Sequence, residues 1–206
     1  MTQEERSEIT RKKILDAAFQ EFGQNGYAAG TVNSICGHGI TKGLFYHHFK
    51  GKDELYLACL EICVNHLVQF LTPHVEDSRD CLKARLIFFE QYPEEARIFF
   101  DGMLNPAPNL AGRIEEILLP LDMLNRRAYG NLIAGMTLRE GVTPEKAVDW
   151  LALMQELLNG YFSSPKLRFR DLAEKIRLHE QVLPEILDRI LFGIAKAPDN
   201  PQASGK

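Results

Sequence analysis

Thr31 to Leu55 reads TVNSICGHGITKGLFYHHFKGKDEL, and this stretch decides the fold. Thr31 and Thr41 each precede a short run that can coil, since a threonine hydroxyl can accept a bond from a free amide in a helix's first turn. Gly37 and Gly39 break the first run and Gly51 breaks the second, in which Leu44, Phe45 and Phe49 recur at helical spacing. Two short helices joined by a glycine turn are the minimum that lays one helix against a duplex while the other enters its major groove. The residue types suit that task. The helix N-termini at Thr31 and Thr41 offer hydroxyls and free amides to phosphate oxygens, Lys42 and Lys52 supply charge, and Tyr46 and His47 can reach phosphates or base edges.

The charge balance at first argues against nucleic acid. The chain has 206 residues, 45% of them hydrophobic and 25% charged, with a formal net charge of −4. Its distribution reverses the argument. Residues 1–60 carry seven Lys and Arg against seven Asp and Glu, while residues 61–206 carry 17 against 21. No acid occurs from Phe22 through Lys52, a stretch of 31 residues that holds Lys42, Lys50, Lys52, His38, His47 and His48. A mildly acidic chain therefore contains one cationic segment suited to a phosphate backbone.

Working outward, every periodic segment is helical. Ile14, Leu15, Ala18, Phe19 and Phe22 repeat at three and four residues before Gly23 and Gly26 supply a stop. A long helix is predicted from Asp53 through Leu55, Cys59, Ile62, Cys63, His66 and Phe70 to a break before Pro73. Further helices are predicted from Ser78 to about Phe89 and from Pro93 through Phe100, with Asp101 to Pro108 as the clearest loop. Asn109 can cap a helix that Pro120 is expected to kink or split. Thr143-Pro144 opens another that Ser163-Ser164-Pro165 closes, and Leu172 to Leu183 precedes a final helix after Pro184. No strand alternation or internal repeat is present. The prediction is an all-α chain of about nine to ten helices, with the polar segment 198–206 a disordered tail.

Several functions are excluded or weakened. The longest apolar run, Leu55 to Leu60, falls far short of the roughly 20 residues that span a bilayer, so no membrane partner is expected. The polar start MTQEER lacks a secretion signal, which predicts a cytoplasmic protein. Cys36, Cys59, Cys63 and Cys81 then read as reduced thiols. Cys59, Cys63 and His66 share a helix face, open to a metal or redox role, but Leu55, Ile62 and Phe70 on that face favour core packing. No phosphate loop, GxSxG, HExxH or paired-carboxylate motif supports an enzyme or a cofactor, and an all-α enzyme is kept only as a minor alternative.

The ordered motifs carry a specific resemblance. Phe22 to Tyr27, Thr31, Ile35-Cys36, Gly39-Ile40-Thr41-Lys42-Gly43, Phe45-Tyr46-His47-His48-Phe49 and Lys52-Asp53-Glu54-Leu55 resemble, in order, the signature of the tetracycline-repressor-like (TetR) family of bacterial transcriptional regulators. The motifs cover about 50 residues; the remainder matches in length and helical character. The likeness implies a three-helix helix-turn-helix DNA-binding head at residues 1–52 and an effector-binding and dimerisation body at 53–197. Thr41 to His48 would be the recognition helix, with Thr31, Thr41, Lys42, Gly43, Tyr46, His47, His48 and Lys52 toward double-stranded DNA, and Ile35, Cys36, Phe45 and Phe49 in the head's core.

Two departures stand out. Three residues lie between Ile35 and Gly39 where the family has four, and Gly51 replaces the usual Ser/Asn cap. A head lost to that shorter turn, leaving a ligand- or protein-binding module, is the alternative reading. The resemblance further implies a cytoplasmic bacterial homodimer reading a palindromic operator, repressing until a small molecule releases it. Trp150, Leu151, Met154, Leu158, Tyr161, Ile186, Leu187, Ile190, Leu191 and Ile194 would form the dimer stripes. Phe88, Phe99, Phe100, Met103 and Tyr129 would wall the effector pocket, with His66, Gln91 or Arg97 as polar anchors.

Overall fold

The computed structural model describes residues 2–37, 39–167 and 171–192. Among them lie nine α-helices and no strands: α1 Gln3–Ala29, α2 Val32–Cys36, α3 Lys42–His48, α4 Lys52–Leu71, α5 Ser78–Gln91, α6 Pro93–Leu104, α7 Ala111–Ala134, α8 Pro144–Ser163 and α9 Leu172–Phe192. Short 3₁₀ turns at Thr72–His74 and Pro165–Leu167 follow α4 and α8. Ile194 and the predicted tail lie outside the described residues.

Threonine caps set several boundaries. The Thr31, Thr41 and Thr143 hydroxyls accept from the amides of Ser34, Leu44 and Lys146. Each such cap contributes roughly 1 kcal/mol. A fourth, Thr2, forms a reciprocal pair with Glu5 and starts α1 well before its apolar repeat. The predicted stop at Gly26 is a kink rather than an end. Its φ of 71° suits glycine, and helical hydrogen bonding resumes until Gly30, whose amide donates to the Gly26 carbonyl.

Four other expectations give way. Residues 101–104 continue α6, so the loop begins at Asn105, because Gly102 and Leu104 are buried. The residue capping α7 is Leu110, not Asn109, whose amide instead donates to Asp53. Pro120 does not split α7 and Pro184 does not separate two helices, since α7 and α9 run through them. A proline inside a helix costs about 3 kcal/mol. Burial of Ile114, Leu121 and Leu124 around one, and of Leu183 and Leu187 around the other, is large enough to offset it.

Helix α4 lies at the centre, packed against α1, α5, α6 and α7. It is the one described helix, taken with its 3₁₀ turn, whose length and composition could cross a membrane. Here that apolarity serves a core: Leu55, Tyr56, Cys59, Leu60, Cys63, Val64 and Leu67 are buried. Burial pushes the Cys59 thiol up to about 12 and raises Cys63 well above the ordinary thiol range. Such thiols are poor nucleophiles and poor ligands. His66 turns to Glu95 at 3.0 Å, and no group of three metal-capable side chains occurs among the described residues.

Candidate functional site

The head is built on α1. Ile14, Ala18 and Phe22 of α1 are fully buried with Ile35 of α2 and Phe45 of α3, and Ile40 and Phe49 close the same cluster. The guanidinium of Arg11 lies over the Phe49 ring, 5.2 Å from its centre. Anchoring Phe45 and Phe49 fixes the rotation of α3, since residues three and four apart share a helix face. The opposite face is left to solvent. It presents Thr41, Lys42, Gly43, Leu44, Tyr46 and His47, with Tyr46 57% exposed. Lys42 with Tyr46, and Gly43 with His47, stand one turn apart on that surface. His48 is half-buried, and desolvation first, then His47 and Arg11, hold its ring below the ordinary histidine range.

The shorter turn appears as a short helix. Helix α2 has five residues and is closed by the Gly37 amide donating to the Asn33 and Ser34 carbonyls. Gly39, at φ 78°, then reverses the chain into the cap of α3. Glu21 stabilises the start of α2 from beneath. Its carboxylate accepts from the Thr31 amide at 3.2 Å and from the Ser34 hydroxyl at 2.5 Å. The sequence held a signal for this, an acid on the apolar face beside Ala18 and Phe22. Leu44 was equally hard to read, because its type matches the core while its position faces water.

Lys52 sits differently from the expected phosphate contact. Its Nζ donates to the Tyr27 and Gly30 carbonyls at 2.9 and 3.2 Å and lies 4.3 Å from the centre of the Tyr27 ring. It neutralises the carbonyl end of α1. Around it runs a junction between head and body. Asp101 of α6 accepts from the Tyr27 amide just past the kink, at 2.9 Å, and from the Tyr56 hydroxyl at 3.2 Å. Asp53 accepts from the Tyr27 hydroxyl and the Asn109 amide.

The body holds a cavity of about 370 Å³ between α5, α6, α7 and α8. Its wall includes Arg85, Phe99, Met103, Ile114, Leu118 and Leu121, with Gln155 and Asn159 as polar lining. Tyr129 belongs to a small adjoining void that also touches Arg85, and its hydroxyl donates to Gln155. The other residues assigned to an effector lie elsewhere. Phe88 and Phe100 fill the core, His66 pairs with Glu95, Gln91 is exposed, and Arg97 donates to the Gln24 carbonyl. Aromatic spacing does not separate core from cavity wall, because both faces are apolar.

The proposed dimer stripes also divide. Leu151, Met154, Leu158 and Leu187 are buried in their own chain, with Ile186 and Leu191 half-buried, whereas Trp150, Tyr161 and Ile190 are exposed. Leu153 and Leu157, the latter 66% exposed, join Trp150 and Tyr161 in a continuous apolar strip on α8.

The sequence model described as "Bacterial regulatory proteins, tetR family" matches residues 14–59. The biofilm operon icaADBC HTH-type negative transcriptional regulator IcaR of Staphylococcus epidermidis is 30% identical over 126 residues, spanning 60% of this chain and 67% of that protein. Among solved structures, the transcriptional regulator FadR from Bacillus subtilis, in complex with stearoyl-CoA, superposes with a TM-score of 0.64 at 16% identity, covering 90% of this chain and all of that one. The TetR family regulator PfmR from Thermus thermophilus gives 0.59 at 20% identity, covering 89% and 99%. At these identities the two structures show the shared fold.

Proposed function

Because this chain belongs to the TetR family of bacterial transcriptional regulators, we propose that α3 reads a palindromic operator, that two copies pair through α8 and α9, and that a small molecule in the α5–α8 cavity releases the DNA. The protein acts as a repressor in the bacterial cytoplasm. The observation that carries the DNA assignment is the two-sidedness of α3: Phe45 and Phe49 are locked in the head while Lys42, Gly43, Tyr46 and His47 face outward from a stretch of sequence that has no acid between Phe22 and Lys52. Lys42 and Tyr46 suit phosphate oxygens, His47 a base edge, and exposed Leu44 a thymine methyl.

One such helix reads few base pairs, so specificity needs a second head about 34–36 Å away. The apolar strip from Trp150 to Tyr161 supports pairing, since a lone soluble chain seldom leaves large apolar side chains in contact on its surface. The cavity supports control by a ligand, being in the size range of small-molecule sites and walled by α6, the helix that also holds the kink of α1 through Asp101. A ligand that fits one position of α6 better than another shifts DNA affinity, and DNA shifts ligand affinity by the same factor. FadR bound to stearoyl-CoA is an example of this fold with a ligand.

A gel shift with the duplex upstream of the protein's own gene tests the assignment. Binding is expected to weaken with salt, and both Lys42→Ala and Tyr46→Ala are expected to weaken it further, the lysine change lowering the salt slope by about 0.9. Tight binding that neither substitution alters would overturn α3 as the reading helix.

A further inference from the structure

We propose that the α5–α8 cavity takes an uncharged, largely apolar molecule bearing a carbonyl oxygen, which accepts a hydrogen bond from Arg85 Nη2. The inference rests on the reading of this cavity as the effector site and names the chemistry of the effector. Arg85 lines the cavity yet is only 5% exposed. Its Nε donates to both carboxylate oxygens of Glu180, at 3.1 and 2.9 Å, and its plane lies over Phe89 and Phe99. Among the described residues, Arg85 Nη2 and Ser164 Oγ are the buried side-chain polar atoms without a hydrogen-bond partner. A charged donor left unpaired in a low-dielectric interior is costly, so an acceptor entering the cavity gains more there than it would in water.

Charge decides which acceptor. Glu180 already neutralises Arg85, and burial holds the His179 ring, 2.9 Å from Glu180 and 2.9 Å from Asn159 Oδ1, below the ordinary histidine range against the pull of Glu180. The Arg85–Glu180 pair therefore has no net charge. Glu115, Asp122 and Glu156 line the cavity from exposed positions, with Asp122 paired to Arg126. An anionic ligand would pass these carboxylates and then lie against Glu180, sharing its guanidinium. A cationic ligand suits the acids but not the unpaired N–H. A neutral carbonyl satisfies Nη2 without adding charge, and Phe99, Met103, Ile114, Leu118 and Leu121 take the remaining apolar surface. Gln155 and Asn159 can bond a second oxygen.

Titration calorimetry on the full chain with three probes built on the same ten-carbon chain, methyl decanoate, decanoate and decylamine, tests this. The ester should bind at least about tenfold more tightly than either charged probe. In Arg85→Met/Glu180→Gln, which leaves neither charge alone, ester affinity should fall by about tenfold or more with helix content unchanged. Arg85→Lys, which keeps a cation against Glu180 but loses the fork, should act in the same direction if the double variant does not fold. Preference for a charged probe, or ester binding untouched by these changes, overturns the carbonyl assignment while leaving the cavity as the site. Ala152→Trp, which puts an indole into the cavity from its wall, should weaken binding of every probe by about tenfold or more; ester binding unchanged by it overturns the cavity itself, and no ester binding to the unaltered protein overturns the proposal.

Discussion

Replacing Asp101 by alanine removes the clasp between head and body. The carboxylate accepts two hydrogen bonds, from the Tyr27 amide at 2.9 Å and from the Tyr56 hydroxyl at 3.2 Å. The kink at Gly26 leaves the Tyr27 amide dependent on Asp101, whereas the hydroxyl of Tyr56, a residue 2% exposed, would keep only its longer contact to the Ile98 carbonyl at 3.4 Å. Hydrogen bonds to a charged group contribute about 1.5–3 kcal/mol each; taking the lower value for this half-buried carboxylate gives a loss of about 3 kcal/mol. For a chain of this length each kcal/mol moves the melting temperature by about 2–4 °C, so Asp101→Ala should melt about 6–12 °C lower. Asp101→Asn keeps the shape and an acceptor oxygen and should lose about half as much. Circular dichroism melts at 222 nm and one fixed protein concentration make the measurement. A drop below about 2 °C for the alanine variant would show that the clasp stabilises little and that apolar packing of α1 on α6 sets the head's position.

Two further expectations concern pairing and pH. Leu157→Glu places a charge in the middle of the exposed strip on α8, where the isolated chain tolerates it. Light scattering should then read 23.4 kDa rather than twice that mass, and an unchanged dimer would remove α8 from the interface. His179 is held below the ordinary value of 6.5 by burial, so just below that pH the unfolded chain binds a proton that the folded chain refuses. Melting temperature should therefore fall between pH 7 and 5.5, and His179→Gln should flatten the fall; equal slopes would refute the linkage. Glu180, held below 4.5 by Arg85 and His179 against its burial, contributes its loss only at lower pH.

The head was legible because its determinants are local. Thr31 and Thr41 act on the next three amides, Gly39 supplies a backbone conformation that other residues resist, and Phe45 and Phe49 declare a buried face by spacing alone. Prolines misled for the same reason. Pro120 and Pro184 break helices when judged locally, but the apolar burial of neighbouring turns holds α7 and α9 continuous. Arg85 and Glu180 are 95 residues apart, and nothing in the sequence near either signals that they meet in the core.

By itself the sequence determined the helical class, the helix-turn-helix, the acid-free stretch that contains α3 and the family, all properties of residues within a few turns of one another. The tertiary structure decided which apolar stripe residues are core and which are free surface. It also committed Lys52 to the end of α1, tied head to body through Asp101, and set Arg85, with its unpaired guanidinium nitrogen, in the wall of the α5–α8 cavity. These depend on which helix lies against which. Helical periodicity states that a face is apolar and is silent about the partner that covers it.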